Sequence, residues 1–324
     1  MEVPDYVEQL RRDGERLATV ASFADPGAPV PTCPDWSLRD LVHHVGGVHR
    51  WATGFVRGAG RQPPDGDLER FVEGWPEDAG LVAWFSDGHR ALVEALVSAP
   101  ADLETWTFLE APTPLAFWAR RQAHETAIHR VDAERAGGDV TGFPTGFAVD
   151  GIDELLLRFA NRSGRPLPTV ETTRSMVVRA KDEPRSWRVT FAPSGFQIEA
   201  DPIDDDAELL VTDDASELYV LLWNRRDAAG SEMDGEPDLL DLWRETVRSG
   251  GAEDRPSSRD ERAKSRRVQE RNDDGGWASS QDPGAWGPCV VTTSRRAPRP
   301  IRSGEVTHVI PTSCPGFGCD WYGR

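Results

Sequence analysis

The chain has 324 residues, with 37 Lys+Arg against 55 Asp+Glu for a formal net charge of −18, and 38% of it is hydrophobic. That length suits about two domains, the acidity is the reverse of a nucleic-acid binder's footprint, and no run approaches the roughly 20 apolar residues of a membrane-spanning helix. Met1 to Asp5 shows no basic region leading into an apolar stretch, so the expected location is the cytoplasm, with neither nucleic acid nor membrane as a partner.

Four helices are predicted before residue 138. The first covers about Asp5 to Ser22, where Tyr6, Leu10, Leu17 and Ala21 recur at helical spacing behind Pro4. The second follows the N-cap Ser37, with Asp40 three residues on, and continues to about Arg57. A third spans Leu81 to Ser98, and a fourth runs from Pro114 to about Ala136 and is stopped by Gly137-Gly138. Helices of this number and length suggest a four-helix bundle over residues 1–140. Gly142 to Gly146 reads as a linker.

Beyond the linker the period changes. A short helix is expected at Ile152 to Asn161, then β-segments at Ser175–Ala180, Trp187–Phe191, Phe196–Ala200 and Ala207–Thr212, separated by Pro, Gly or Asp turns. Amphipathic helices at Ser216–Asn224 and Asp238–Arg248 complete an α+β domain over residues 148–249. From Gly251 to Arg324 there are 12 Lys+Arg and 10 Asp+Glu, which leaves 25 and 45, a net of −20, for residues 1–250. These last 74 residues contain no leucine, and their Ile, Val and Phe total 8, too few for a core, so residues 250–324 are expected to be a disordered tail. Cys289, Cys314 and Cys319 lie there; Cys314 and Cys319, with His308 nearby, supply at most half a zinc site.

Six of the seven histidines fall between residues 43 and 129. His44 lies three residues after Leu41, four before Val48 and seven before Trp51, and so shares their inward face. His43, turned by about 100°, is expected to face out, and His49 sits on the flank. On the fourth helix Glu125 and His129 stand four apart on one face, one turn and more beyond Trp118. His124 and His129 are about 140° out of phase and do not make the HExxH zinc motif. Imidazole nitrogen and ionised carboxylate are ordinary zinc ligands, and three protein ligands leave a fourth tetrahedral position open. His44, Glu125 and His129 are therefore candidate ligands of a divalent metal, zinc above all. The plainer alternative pairs Glu125 with Arg121 or Arg130 on a solvated helix and makes His44 a hydrogen-bonded core residue. Trp36, Trp51 and Trp118 either line a pocket or fill the core.

Cys33-Pro-Asp-Trp36-Ser-Leu-Arg-Asp-Leu-Val-His-His44, followed by Arg120-Arg-Gln-Ala-His-Glu125-Thr-Ala-Ile-His129-Arg-Val-Asp132-Ala-Glu134, resembles the mycothiol-dependent maleylpyruvate isomerase family. Ala207-Glu-Leu-Leu-Val-Thr212 and Leu218-Tyr-Val-Leu-Leu-Trp-Asn-Arg225 extend the resemblance to about residue 248. It implies a DinB-like metal-binding four-helix domain with His44, Glu125 and His129 as ligands, joined to a sterol-carrier-like C-terminal domain. It further implies mycothiol as the thiol cosubstrate, held as a metal-bound thiolate that attacks an electrophilic small molecule, in isomerisation or in S-transfer. Arg225 then either contributes to activity by reaching a substrate carboxylate or is a solvated surface residue. Asp132, one turn beyond His129, either orients an imidazole or forms a surface salt bridge. Two other functions fit the sequence: a zinc-containing small-ligand carrier without turnover, and an interaction protein that uses the tail as a binding arm.

Overall fold

In the computed structural model the described residues are 1–58, 72, 74–160, 170–204 and 206–248. The expected disordered tail, its three cysteines and His308 lie outside them, as does Asn161.

The four expected helices are α1 (Val3–Phe23), α2 (Leu38–Val56), α3 (Asp78–Ser98) and α4 (Pro114–Gly137). Their ends follow local chemistry. The Ser37 amide donates to the Asp40 carboxylate at 2.8 Å and the Asp40 amide donates back to Ser37 Oγ at 3.3 Å, a capping box that starts α2. Thr113 Oγ1 accepts from the Ala116 amide ahead of Pro114, and α4 ends at Gly138, whose φ of 148° suits glycine. α1 packs on α3 and α4, and α2 packs on the same two helices.

The linker is shorter than expected, because α5 (Thr145–Asp153) begins well before Ile152. Gly146 and Gly151 weaken the helical signal there. Packing explains Gly151: a Cβ at this position would sit 2.3 Å from the Tyr219 ring and 2.9 Å from that of His124. α5 runs on into a π-helical stretch, Glu154–Ala160.

The expected strands appear as β1 (Arg174–Ala180), β2 (Ser186–Ala192), β3 (Gly195–Ala200) and β4 (Leu209–Asp213), followed by α6 (Ala215–Leu222) and α7 (Asp238–Arg248). A fifth strand, β5 (Glu232–Gly235), extends the sheet to the order β3-β2-β1-β4-β5, in which β1 and β4 are parallel and the other pairs antiparallel. All four β5 residues are exposed, so no apolar alternation marks this edge strand in the sequence. The chain thus combines a helical bundle with an α+β half. One apolar core crosses both, from Trp51 and Trp118 through Phe147 and Leu156 to Tyr219 and Trp223, while a second gathers around Trp36, Leu41, Val45 and Phe85. No described helix is long and apolar enough to cross a membrane.

Candidate metal centre

α2 carries His44 and α4 carries Glu125 and His129, and the packing of the two helices turns all three toward one point. His44 Nε2 lies 3.4 Å and His129 Nε2 3.3 Å from the same oxygen, Glu125 Oε1. One donor atom from each lies within 4.8 Å of the others, and their exposures are 3%, 5% and 1%. The Trp36 ring lies against both imidazoles, 5.1 Å from His44 and 6.4 Å from His129 between centroids. The nitrogen–oxygen separations are at the long end for hydrogen bonds, and the three donor atoms gather in one small space. Two imidazole nitrogens and one carboxylate oxygen in that arrangement fit a divalent transition-metal ion such as zinc.

The groups behind these atoms are as ordered as the atoms themselves. Asp132 Oδ2 accepts from His129 Nδ1 at 2.8 Å; because an ionised carboxylate can only accept, Nδ1 carries a proton, and Nε2 faces Glu125. Asp132 is wholly buried and also receives Thr32 Oγ1 at 2.5 Å, Arg225 Nε at 2.8 Å and Arg225 Nη2 at 3.1 Å. Glu125 Oε2 accepts from Arg121 Nη2 at 2.8 Å, and Arg121 Nη1 donates to Glu154.

Burial lowers the His44 pKa, with the Glu125 hydrogen bond opposing it. Burial alone would raise Glu125, but hydrogen bonds from His129 and His44 and the Arg121 charge hold it well below the usual carboxylate range. For His129 burial disfavours the charged ring, yet the Asp132 and Glu125 carboxylates outweigh it and raise the pKa to about 9. Asp132 is depressed, since Arg225 and His129 overcome its desolvation.

The plainer alternative holds in part, on a buried and not a solvated helix face. Glu125 does pair with Arg121, but through Oε2, leaving Oε1 toward the histidines. Arg130 pairs instead with Asp13 and Glu134. The outward placement expected for His43 is corrected: it is 6% exposed, and its Nε2 lies 3.2 Å from the Pro76 carbonyl with the Trp75 and Trp84 rings against it. The covering segment ahead of α3 carries no helical phase to predict it. His49 is buried and its Nε2 lies 2.8 Å from Thr126 Oγ1; His124 faces away from the triad, with Asp150 at 2.8 Å and Tyr219 at 3.0 Å. Trp51 and Trp118 pack with Phe55 in the core, so of the three tryptophans Trp36 is the one beside the site.

Arg225 is not a solvated surface residue. It is 1% exposed, and the carboxylate it meets is this chain's own Asp132. Sequence reasoning did not identify Thr32 or Glu154 as neighbours of the site; they lie 100 and 33 residues from their partners Asp132 and Arg121, and no local periodicity carries such a pairing.

Bundle and donor set together define a class: a helical domain with a buried His-Glu-His site, braced by an α+β half. Residues 7–134 match the family described as Mycothiol maleylpyruvate isomerase N-terminal domain. The crystal structure of the mycothiol-dependent maleylpyruvate isomerase resembles this chain with a TM-score of 0.51, at 14% identity over 73% of this chain and 95% of that one. A histidine-to-alanine mutant of that enzyme gives a TM-score of 0.50 at the same identity and coverage. No curated protein matches the sequence. The helical part of this chain is thus similar to that N-terminal domain family, and the chain shares the fold of the crystallised enzyme.

Proposed function

We propose that the chain is an enzyme that holds a divalent cation, zinc foremost, on His44, Glu125 and His129 and uses it with a low-molecular-weight thiol, mycothiol, either to isomerise an electrophilic small molecule or to transfer the thiol sulfur onto it. The observation that carries this reading is the convergence of both Nε2 atoms on Glu125 Oε1. Three protein donors suit a catalytic centre, since a structural zinc site is normally closed by four. A cation bound there with one carboxylate ligand keeps positive charge, which favours the thiolate form of a thiol whose ordinary pKa is about 8.5.

The protein's own groups perform the preparatory work. Asp132 fixes the His129 ring and its tautomer, and Arg225 and Thr32 fix Asp132. Arg225 on this reading is a positioning residue, acting through Asp132. Trp36 shields one side of the site from water, which strengthens electrostatic interactions within it.

The test is bound zinc in the purified wild type, His44→Ala and Glu125→Ala, followed by mycothiol-dependent conversion of a panel of electrophiles, with free thiol measured alongside. The expected result is stoichiometric zinc in the wild type, its loss from both variants, and thiol-dependent conversion that follows the metal, the thiol being regenerated in isomerisation and consumed in S-transfer. Zinc retained by both variants overturns the site, and zinc without thiol turnover points to a carrier.

A further inference from the structure

A π-helix closes i→i+5 hydrogen bonds, is rare, and often occurs at functional sites. The stretch Glu154–Ala160 is one, and its register has a local consequence. Glu154 and Phe159 are five residues apart, about 140° out of phase on an α-helix but closer to one face where the helix is wider and bonds run to i+5. Both meet the same guanidinium. Glu154 accepts from Arg121 Nη1, and Arg121 Cζ lies 4.9 Å from the Phe159 ring centroid and 5.9 Å from that of Trp223. The other end of the guanidinium donates to Glu125 Oε2 at 2.8 Å. Arg121, Glu125 and Glu154 are 1%, 5% and 2% exposed, so water screens none of these charges well.

We infer that Glu154, which meets Arg121 beside Phe159 on the π-helical turn, is a positioning residue for Glu125: through Arg121 it fixes the carboxylate and leaves the charge of Oε1 to a cation. The inference rests on the metal reading above. Its logic is a count of charges. With Glu154 present, Arg121 is balanced by one carboxylate and Glu125 remains a net anion beside the histidines. With Glu154 neutral, Arg121 and Glu125 cancel, and the donor set faces a cation without net negative charge. The freed guanidinium is also able to turn on Glu125 and pull it off the common point.

Cobalt(II) titration of the full chain, monitored by visible absorption and by competition with a chelator, tests this. Glu154→Gln is expected to weaken cobalt binding about tenfold, the range for removing a group that orients a ligand, and to shift the absorption band. The control is Asp153→Asn just ahead of this segment, where Asp153 holds Arg185 at 2.8 Å and the Trp187 indole at 2.7 Å; it should lower thermal stability while leaving cobalt affinity and spectrum as in the wild type. Equal effects of the two substitutions on affinity, or none from Glu154→Gln, overturn the inference. Phe159→Leu keeps the apolar volume and is expected to shift the spectrum in the same direction; should Glu154→Gln not fold, an unchanged Phe159→Leu overturns it instead. A wild type that binds no cobalt sinks the metal reading itself, whereas binding that His44→Ala abolishes and Glu154→Gln leaves intact sinks this inference alone.

Discussion

Asp132 shows how much of the site depends on a single carboxylate. It takes a hydrogen bond from His129, receives Nε and Nη2 of Arg225 and accepts from Thr32, wholly buried. Replacing it by Asn keeps the volume and removes the charge. Metal affinity should fall about 10- to 100-fold, as is typical when the partner of a ligating histidine is lost, and chelator competition measures it. Arg225 would lose the Asp132 charge in the same variant, so stability should drop by about 3–5 kcal/mol, the usual cost of removing one partner of a buried ion pair; urea unfolding of the metal-free protein reads that separately. The His129–Glu125 alignment was legible in the sequence because residues four apart stack on any helix. The Asp132–His129 bond was one of two readings of a three-residue spacing, and burial decided between them.

At the scale of elements, helices were easier to read than strands. The Ser37–Asp40 capping box is written in adjacent letters and starts the helix that carries His44. Ser37→Ala should cost about 1 kcal/mol, seen as a lower urea midpoint with an unchanged slope. α5 and β5 were harder to read for different reasons. Glycines mask the start of α5, and one of them is needed where Tyr219 packs on the backbone; Gly151→Ala should cost about 1–3 kcal/mol by overpacking, measurable as a lower melting temperature. β5 is exposed throughout and is a strand because β4 offers it hydrogen bonds. The π-helical turn has no sequence signature at all: its effect is to bring Glu154 and Phe159 onto one guanidinium supplied by α4.

For the whole molecule, Asp150 joins three helices. Its carboxylate accepts from Tyr6 of α1 at 2.9 Å and from Arg120 of α4 at 2.8 Å, and it meets His124 at 2.8 Å. Burial would raise its pKa, but His124 and Arg120 depress it below the ordinary value. A depressed carboxylate contributes stability above its unfolded pKa of about 3.9 and loses it as pH falls through the lower folded value. Wild type and Asp150→Asn should therefore differ most in unfolding free energy above about pH 5 and converge toward pH 2, as denaturant titrations across that range would show. The sequence alone determined the helical periods, the caps, the acidic balance of residues 1–250 and the inward faces of His44, Glu125 and His129, because each is a matter of composition or of phase within one helix. Tertiary structure decided the rest: that α2 and α4 bring those faces together, that Arg225 meets Asp132 across 93 residues, and that His43 is covered. Those outcomes depend on which surfaces pack against each other, and packing is settled by the shapes and charges of distant segments acting at once.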